Sequence, residues 1–409
     1  MIKGLTDKKI ISMAEKINSK YNLCDACLGR FFAKIGKNLS NTDRGKTLKN
    51  NLAEPKKNSS KDCWVCTGLL DEIPHFVKLI VETLKDYEYE TFLIGSKIDE
   101  EILEKEQEII NYSETDFSES IKSEINREIG KILEKKLGKE VDFDKPDIMV
   151  VIDTPYDVVD LQIVSLFIYG RYKKFSREIP QTKWFCKICR GKGCKKCEYT
   201  GKMYSSSVEE LIAEKILEKT KGAGESFHGC GREDIDALML GNGRPFVIEV
   251  ENPKFRNLDL RDLQKEINSS NRNLIEVSNL RFSDRKEVIR IKNAAFKKTY
   301  RVTFESSKPI NNEKLKKAIY SLQDDVINQF TPSRVAHRRA NLIRKKQIYS
   351  CKLEHVEGSI ATLIIETESG TYIKELVSGD DGKTKPNISE IIGTPCKVTE
   401  LDVIKIKGE

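Results

Sequence analysis

The spacing of apolar positions divides the first half of the chain into helix-like and strand-like segments. Residues 75–87, HFVKLIVETLKDY, repeat apolar residues at helical spacing, whereas residues 91–98, TFLIGSKI, alternate as a strand does. Residues 147–153 and 159–175 are rich in β-branched and aromatic residues and predict further strands. The very polar residues 98–137 predict a long, exposed, charged helix pair. This part of the chain is therefore predicted to be an α/β unit.

The pattern of the second half is different. Residues 205–220, SSSVEELIAEKILEKT, begin with serines and place acids in the next turn, which is typical of a capped helix. Strand-like segments then mix with helix-like ones, among them RPFVIEVEN, KTYRVTFES and SIATLIIETES. We therefore predict an α+β protein in which an α/β module precedes a domain with a mainly antiparallel sheet.

Composition shows that the protein is highly charged. Of its 409 residues 33% are Asp, Glu, Lys or Arg, and the formal net charge is +7. No stretch reaches the roughly 18 apolar residues of a membrane-spanning helix. The N-terminal sequence MIKGLTDKKIISMAEKI is typical of a polar amphipathic helix and lacks the apolar core of a signal peptide. We therefore expect a cytoplasmic protein with no membrane partner.

The positive charge is concentrated in two segments. Residues 181–204 carry seven Lys or Arg and one acid, and residues 334–346 carry six and no acid. Such segments suit phosphate contacts better than a uniform excess of charge does. They indicate an anionic partner, with a solvated connector or a solvated helix face as the alternative.

Eight of the eleven cysteines form four CxxC pairs, which favours metal ligation over disulfides in a cytosolic chain. Two CxxC turns complete a tetrahedron of four sulfurs with no open position, which is typical of structural zinc. We expect one such site from the first two pairs, and free or redox-active thiols are the alternative. Its ligands would be Cys24, Cys27, Cys63 and Cys66.

The other two pairs lie only four residues apart, in CKICRGKGCKKCEYTG. Gly191 and Gly193 allow the sharp reversal that ligation needs, and the CxxCxGxG pattern resembles the cysteine-rich repeats of the DnaJ chaperones. A second zinc site is possible here, with unligated surface thiols as the alternative. The basic residues around it make this segment a candidate RNA contact. The ligands would be Cys186, Cys189, Cys194 and Cys197.

The densest run of unusual residues is HGCGREDIDALMLGNGRP, residues 228–245. Glycines bracket two close acids, Asp234 and Asp236, and two arginines, Arg232 and Arg244. From the residues alone, a structural turn, a cation site with carboxylates two apart and a catalytic loop all remain open.

Several motifs resemble one family. GREDIDALMLGNGRPFVIEVENPK resembles the signature of the archaeal and eukaryotic pseudouridine synthases that modify tRNA positions 54 and 55, and GREDID is similar to the GRTD-type motif of other pseudouridine synthases. KKTYRVTF, QFTPSRVAHRRANLIRKK and GTYIKELVSGDDGKTKPNISEIIG resemble further motifs of the family, in the expected order. CDACLGR, CWVC and GRYKKFSREIPQTKW also resemble it, and the last would close a THUMP-type RNA-binding module. The resemblance covers nearly the whole chain.

The resemblance implies an isomerase that converts uridine to pseudouridine in the TΨC loop of tRNA, at position 54, 55 or both. It implies Asp234 as the nucleophile, with Asp236 as the fallback, and Lys374 as its cationic partner. Tyr300 would stack on the target base and help to remove the C5 proton. The reaction needs no organic cofactor, and the chain has neither a P-loop nor a convincing dinucleotide fingerprint.

The remaining predicted contacts are with RNA. Arg232 and Arg244 would bind phosphate or hold the base out, Ile373 would form an apolar wall, and Tyr372 belongs to the pocket or to the core. Ordinary ion-paired arginines are the alternative for the first two. The second basic segment brings Arg334, Arg338 and Arg339, whose spacing would place several cations on one helical face for backbone binding.

These observations predict four parts: a zinc-binding segment (1–72), a THUMP-like RNA-binding domain (73–180), a Cys/Lys-rich zinc knuckle (181–203) and a pseudouridine synthase catalytic domain (204–409). The expected partner is tRNA through its TΨC arm, and no required protein partner is evident. One alternative is a non-catalytic, zinc-containing tRNA-binding protein. Another is a different THUMP-bearing tRNA-modifying enzyme, although GNGRP is too short for a methyl-donor or ATP-pyrophosphatase loop.

Overall fold

The computed structural model describes residues 4–56, 59–338 and 340–407, without the side chains of His337 and Arg338. The chain forms two compact units. The first unit comprises Met1–Val164 and Asn252–Arg256, and the second comprises Ser165–Glu251 and Asn257–Glu409. Within the described ranges, no helix is both long enough and apolar enough to cross a membrane.

The first unit combines six α-helices with a small sheet among its described residues. The helices are α1 (Lys8–Lys20), α2 (Asp25–Arg30), α3 (Asn41–Lys49), α4 (Ile73–Leu84), α5 (Glu100–Ser113) and α6 (Ile121–Leu137), with a 3-10 helix at Leu69–Glu72. The strands are β1 (Thr91–Lys97), β2 (Glu140–Val141), β3 (Ile148–Asp153) and β4 (Val158–Ile163). Their order in the sheet is β2-β1-β3-β4, and only the β3–β4 pair is antiparallel.

One hydrophobic core runs through this unit, from the N-terminal cysteine segment to the sheet. Two glycines let α2 and α3 cross in close contact: a Cβ on Gly29 would lie 1.8 Å from the carbonyl oxygen of Asn41, and one on Gly45 would lie 1.8 Å from that of Asp25. Only glycine fits such an approach. This crossing fixes the turn that carries the first CxxC pair.

The second unit is built on a ten-stranded sheet. Its helices are α7 (Val208–Thr220), α8 (Leu260–Ser270), α9 (Arg285–Asn293), α10 (Asn312–Leu322), α11 (Ile373–Ser378) and α12 (Ile388–Ile392), with 3-10 helices at Lys195–Cys197 and Ser333–Arg338. Its strands are β5 (Leu166–Lys174), β6 (Gly224–Gly229), β7 (Ala237–Glu251), β8 (Ile275–Ser283), β9 (Lys298–Ser306), β10 (Val326–Phe330), β11 (Ile343–Glu357), β12 (Ile360–Thr367), β13 (Thr384–Lys385) and β14 (Cys396–Ile406).

The order of this sheet is β13-β10-β11-β12-β9-β14-β7-β5-β8, with β6 paired to β7. All pairs are antiparallel except β7 with β14. Apolar residues of α7, α8, α10, α11 and α12 build the main core with one face of the sheet. Val288 and Ile291 of α9 pack with Phe167 and Tyr169 in a separate cluster. The predicted α+β fold with a mainly antiparallel sheet is confirmed.

Two details differ from the sequence-based expectations. The helices α5 and α6 exist, but they are not an exposed pair, because Ile109, Ile125 and Leu133 are fully buried in the core of the first unit. Among the described cations of residues 334–346, Arg334 lies in the 3-10 helix Ser333–Arg338, whereas Arg344, Lys345 and Lys346 lie on β11. These four therefore do not share one helical face.

The division of the chain also differs from the predicted one. Residues 165–180, which were assigned to the THUMP-like domain, belong to the second unit, where β5 pairs with β7 and β8. The N-terminal cysteine segment shares a single core with the α/β module, so residues 1–164 form one unit rather than two.

Candidate active site

A cavity of about 630 Å³ lies in the second unit, where several chain segments meet. The loop before β7 supplies residues 231–236, and β9 supplies Lys298 and Tyr300. The 3-10 helix supplies Arg334, and the turn before α11 supplies residues 369–372. The predicted site residues that line this cavity are Arg232, Asp234, Arg244, Tyr300, Arg334, Tyr372, Ile373 and Lys374.

Two carboxylates and two cations face each other in this cavity. Arg334 Nη1 donates to Asp234 Oδ1 at 3.0 Å, and Lys374 Nζ lies 3.6 Å from Asp234 Oδ2. Lys374 is closer to Asp236, whose two oxygens accept from Nζ at 2.7 and 2.9 Å. Burial opposes ionisation of Asp236, but the hydrogen bond and charge of Lys374 outweigh it and lower the pKa of this carboxyl. Lys374 therefore bridges both candidate nucleophiles, and Arg334 is the nearer cation to Asp234.

Arg334 is held in place by a buried acid. Its Nε donates to Glu375 Oε1 at 2.7 Å, and its Nη2 donates to Glu375 Oε2 at 3.4 Å. The side chain of Glu375 is only 6% exposed. Because a buried carboxylate without a cationic partner is costly, this pairing fixes the position of the guanidinium. Glu375 directly follows Lys374 at the start of α11, so one helical turn positions both cations that face Asp234.

A buried network supports the loop that carries the acids. Glu233 Oε2 lies 2.8 Å from Arg244 Nε, and both side chains are almost completely buried. The Tyr172 hydroxyl donates to the Glu233 carboxylate, whose oxygens lie 2.8 and 2.9 Å away. Gln181 Nε2 donates to Tyr172 Oη at 2.7 Å and to the Gly231 carbonyl oxygen at 3.0 Å. Arg244, which we expected to contact phosphate or the target base, is therefore placed to hold the loop.

The strand β5 and the residues after it support the same loop. Lys174 is fully buried, and its Nζ donates to the carbonyl oxygens of Ile179 at 3.0 Å and Ile235 at 2.6 Å. Burial lowers the pKa of Lys174 to about 8. Arg177 Nη1 donates to the carbonyl oxygen of Asp236 at 2.8 Å. The segment GRYKKFSREIPQTKW, expected to close a THUMP module, thus shapes the cavity of the second unit.

The strand β9 contributes a tyrosine and a lysine to the cavity. Tyr300 and Lys298 are two residues apart, so they lie on the same face of the strand, and both are buried. Burial raises the pKa of Tyr300 to about 12, so its hydroxyl keeps its proton at neutral pH. Burial, together with the charge of Arg244, lowers the pKa of Lys298 to about 8.

The turn before α11 is positioned through its backbone. Gln329 of β10 is fully buried, and its side chain accepts from the Tyr372 N–H and donates to the Tyr372 carbonyl oxygen, both at 2.9 Å. The ring of Tyr372 lies 6.0 Å from the guanidinium of Arg334. Ile373 is buried in the main core and also lines the cavity. The turn thus presents both an aromatic and an aliphatic side chain to the same space.

The N-terminal cysteine set converges within the core of the first unit. The Sγ atoms of Cys24, Cys27, Cys63 and Cys66 all lie within 4.8 Å of one another, and those of Cys24 and Cys66 are 3.8 Å apart. Four sulfurs bound tetrahedrally at about 2.3 Å from zinc lie roughly 3.8 Å apart. The set therefore fits a zinc ion with no open coordination position, and its role would be structural.

The second cysteine set has the same geometry in the second unit. Sulfur–sulfur distances are 3.9 Å for Cys186 and Cys194, 3.8 Å for Cys189 and Cys197, and 3.7 Å for Cys194 and Cys197. Burial opposes ionisation of the Cys197 thiol, but backbone N–H groups of Cys194 and Gly201 outweigh it and lower its pKa to about 6. Because thiolates bind zinc, this set also could hold the ion.

Some residues around the cavity were not singled out from the sequence. They are Glu233, Glu375, Lys298 and Trp184, and the ring of Trp184 lies 4.9 Å from the guanidinium of Arg232. Lys298 had a signal, because it precedes Tyr300 by two positions on an alternating strand. Of the three arginines predicted from the second basic segment, Arg334 is placed, whereas Arg339 and the side chain of Arg338 lie outside the described residues.

The chain is similar to known proteins over nearly its whole length. The family model "Pus10, C-terminal" matches residues 167–407, and the model "Pus10 THUMP domain, archaeal" matches residues 76–153. A tRNA pseudouridine synthase Pus10 of Methanocaldococcus jannaschii is 44% identical, over 96% of this chain and 93% of that protein. The proteins of the same name from Methanothrix thermoacetophila and Halorubrum lacusprofundi are each 38% identical, over 98% of this chain and over 95% and 97% of their own lengths.

Proposed function

Because the chain belongs to the Pus10 family of tRNA pseudouridine synthases, we propose that it converts uridine to pseudouridine at position 54, position 55 or both in the TΨC loop of tRNA, with Asp234 as the nucleophile. The observation that carries the proposal is the setting of Asp234. Its half-buried carboxylate lies 3.0 Å from Arg334 and 3.6 Å from Lys374, in a cavity that Tyr300 also lines.

The size of the cavity suits a nucleoside taken out of its stack. Ligand pockets of roughly 300–1,000 Å³ hold molecules of this size, and the cavity measures about 630 Å³. An enzyme that acts on a base within folded RNA must first extrude it. The face of Tyr300 can then stack on the extruded uracil, and Ile373 and Val403 add apolar surface around it.

The chemistry needs a carboxylate but no redox group. The N1–C1′ bond breaks, the C5–C1′ bond forms, C5 loses a proton and N1 gains one, so the product is an isomer of the substrate. An aspartate can attack or assist at the ribose, as carboxylates do in covalent catalysis. The two cations offset the cost of holding this charge in a half-buried site. Because Tyr300 keeps its own proton at neutral pH, it can accept the C5 proton only if its hydroxyl proton is transferred to another acceptor.

Zinc would support this reaction only through the fold. Both cysteine sets offer four sulfurs and no open position, so a bound ion would stabilise the segments that carry them. No organic cofactor enters the proposed steps. The anionic partner is tRNA, gripped through its phosphates by basic residues such as Arg232 and Lys345 and by the THUMP module matched at residues 76–153.

The experiment that tests the proposal measures tritium released from a tRNA transcript labelled at C5 of its uridines, without added cofactor. We expect release by the wild type and none by Asp234→Ala, with tRNA binding retained in both proteins. Asp236→Ala is the matched control, because it removes a carboxylate bonded to the same lysine. Release by Asp234→Ala and loss by Asp236→Ala would move the nucleophile to Asp236.

Two further outcomes separate the competing functions. If neither wild type nor variants release tritium while tRNA binding is intact, the protein is a binder rather than an isomerase. Transcripts in which U54 or U55 alone is replaced by cytidine identify the modified position. Release from only one of these transcripts assigns a single site, and release from both assigns two.

A further inference from the structure

Trp184 forms part of the wall of the cavity, although it lies almost fifty residues before the loop that carries the acids. Its ring is only partly buried. The guanidinium of Arg232 lies over the ring at 4.9 Å, and the ring of Tyr204 meets it edge-on, with centroids 5.7 Å apart and planes at 80°. These three residues form an aromatic and cationic cluster at the cavity wall.

The second cysteine set determines where this cluster lies. Trp184 and Tyr204 lie at the two ends of the hairpin that carries the four cysteines. The Met203 N–H donates to the Trp184 carbonyl oxygen at 2.9 Å, and the Cys186 N–H donates to the Gly201 carbonyl oxygen at 2.7 Å. A metal ion that ties the cysteines together would therefore close the hairpin and hold the indole at the cavity wall.

The surroundings of Trp184 suit an unpaired nucleobase of an RNA strand. A partly buried indole that lines a polar cavity and packs on a cation offers a surface on which a base can stack. The hairpin residues 181–204 carry seven cations and one acid, which attract the RNA backbone to the same place. Tyr300 is the candidate partner of the target uracil, so Trp184 is available for another base.

We propose that Trp184 is a stacking site for an unpaired base next to the target uridine, held in place by the second cysteine set with its zinc ion. The proposal rests on the proposed function for the identity of the RNA. It assigns an RNA-positioning role to a residue of the hairpin and gives the second zinc site a purpose: to position an indole at the cavity rather than to stabilise the core.

The experiment measures tryptophan emission as a T-arm stem-loop RNA is added to Asp234→Ala protein, which binds without turnover. The chain has two tryptophans, so Asp234→Ala is compared with the double variant Asp234→Ala/Trp184→Phe, whose emission reports Trp64 alone. Stacking on a base quenches indole emission, so we expect quenching in the first protein and little in the second. Equal quenching in both would overturn the proposal.

Affinity gives the second readout. Because stacking on an aromatic residue contributes about 1–3 kcal/mol per base, Trp184→Ala should weaken RNA binding about tenfold, and Trp184→Phe should restore most of it. Tyr320→Ala is the matched control, since Tyr320 is an aromatic residue of the same unit with 84% exposure, on α10. Unchanged affinity of Trp184→Ala, or an equal loss in Tyr320→Ala, contradicts the stacking role.

The variant Cys189→Ser tests whether the metal ion of the second cysteine set positions Trp184. Atomic absorption should show one zinc ion fewer per chain. The quenching of tryptophan emission by RNA should fall to the level seen in the variant that carries Trp184→Phe. Normal quenching after loss of that ion would show that the hairpin holds Trp184 without metal and would overturn this part. Quenching is measured in a variant without turnover, so it can succeed or fail independently of tritium release.

Discussion

At the scale of single residues, the candidate nucleophile shares each of its two cations with another acid. Lys374 lies 2.7 Å from Asp236 but 3.6 Å from Asp234, whereas Arg334 lies 3.0 Å from Asp234 and is locked by Glu375. The resemblance that implied Lys374 as the partner of Asp234 gave no indication of this division. We therefore expect Arg334 to share the electrostatic role that the resemblance implies for Lys374.

This division predicts the effect of removing Arg334. Arg334→Gln should lower kcat about a hundredfold, since removing one preorganised charge-stabilising group from an active site typically costs that much. Lys345→Gln is the matched control, because it removes one exposed cation of the same basic segment without contact to the acids. We expect the control to weaken tRNA binding slightly and to leave kcat unchanged. Equal kcat values for both variants would assign Arg334 to RNA binding only.

Lys298 predicts a dependence of stability on pH. Burial lowers its pKa from 10.5 to about 8 in the folded protein. Below pH 8 the buried ammonium group is therefore charged and destabilises the folded state. As pH rises from 8 towards 10.5, the unfolded chain holds a proton that the folded one has lost, and stability rises. Lys298→Met removes this penalty at every pH.

The measurement is urea unfolding at pH 7 and pH 9.5. The stability advantage of Lys298→Met over wild type should shrink by roughly 2 kcal/mol between these values, because one pKa unit corresponds to about 1.4 kcal/mol. Lys308→Met, at an exposed position of the same unit, should show no such trend. A constant difference for Lys298→Met would mean that Lys298 is not desolvated.

At this scale the sequence was informative about which residues carry chemistry, but not about how they pair. Asp234 and Asp236 stood out because glycines bracket them, and both line the cavity. Burial of an acid leaves no local trace in a sequence, however, so Glu233 and Glu375 could not be told from surface residues. Their role depends on partners that are distant in the chain, such as Tyr172 and Arg334.

At the scale of elements, β5 links the cavity to the sheet. The strand pairs with β7 on one side and with β8 on the other, and its residues Tyr172 and Lys174 reach the loop that holds the candidate nucleophile. The position of the loop therefore depends on a strand about sixty residues earlier. Loss of a hydrogen bond from this strand to the loop should therefore make the loop less well ordered.

Tyr172→Phe tests this dependence. The variant leaves the buried Glu233 without its hydroxyl donor and Gln181 without one of its two acceptors, which should cost about 1–3 kcal/mol of stability. We expect kcat to fall with little change in tRNA affinity, because the loop loses support but the basic surface does not change. Tyr320→Phe, at an exposed position, should match wild type in unfolding and kinetics. Full activity of Tyr172→Phe would show that the other contacts of the loop, from Arg244, Gln181 and Lys174 among others, hold it without the hydroxyl.

The periodicity of apolar residues predicted most helices and strands, but two segments differ from the prediction. Helices α4 and α7 and strands β1, β3 and β9 lie where apolar spacing placed them. The prediction of one helical face for the basic segment was wrong because cations three and four residues apart also occur in exposed chain that is not helical. Nothing in the local sequence marks the change from the 3-10 helix to β11. Segment 165–180 was assigned to the wrong unit because its partners β7 and β8 follow it by about seventy residues or more.

At the scale of the whole molecule, the two cysteine sets have different settings. All four cysteines of the first set are buried and belong to the single core of the first unit. In the second set only Cys186 is buried, and the other three are partly exposed. The sequence showed two sets of equal ligand chemistry. It could not show that one is within a core and the other on a hairpin, because that depends on the packing of the rest of each unit.

This difference predicts unequal effects of metal loss on the stability of the protein. Cys66→Ser should remove one zinc ion and lower the melting temperature of the first unit by roughly 10 °C or more, because the ion ties α2 to the turn before the 3-10 helix Leu69–Glu72 within one core. Cys197→Ser should also remove one ion but shift melting by only a few degrees, since its hairpin adds little buried surface. Zinc content measured beside calorimetry checks both, and Cys351→Ser controls for the loss of a buried thiol outside either set. Equal melting shifts for Cys66→Ser and Cys351→Ser would show that burial of the sulfur, and not the metal, stabilises the first unit.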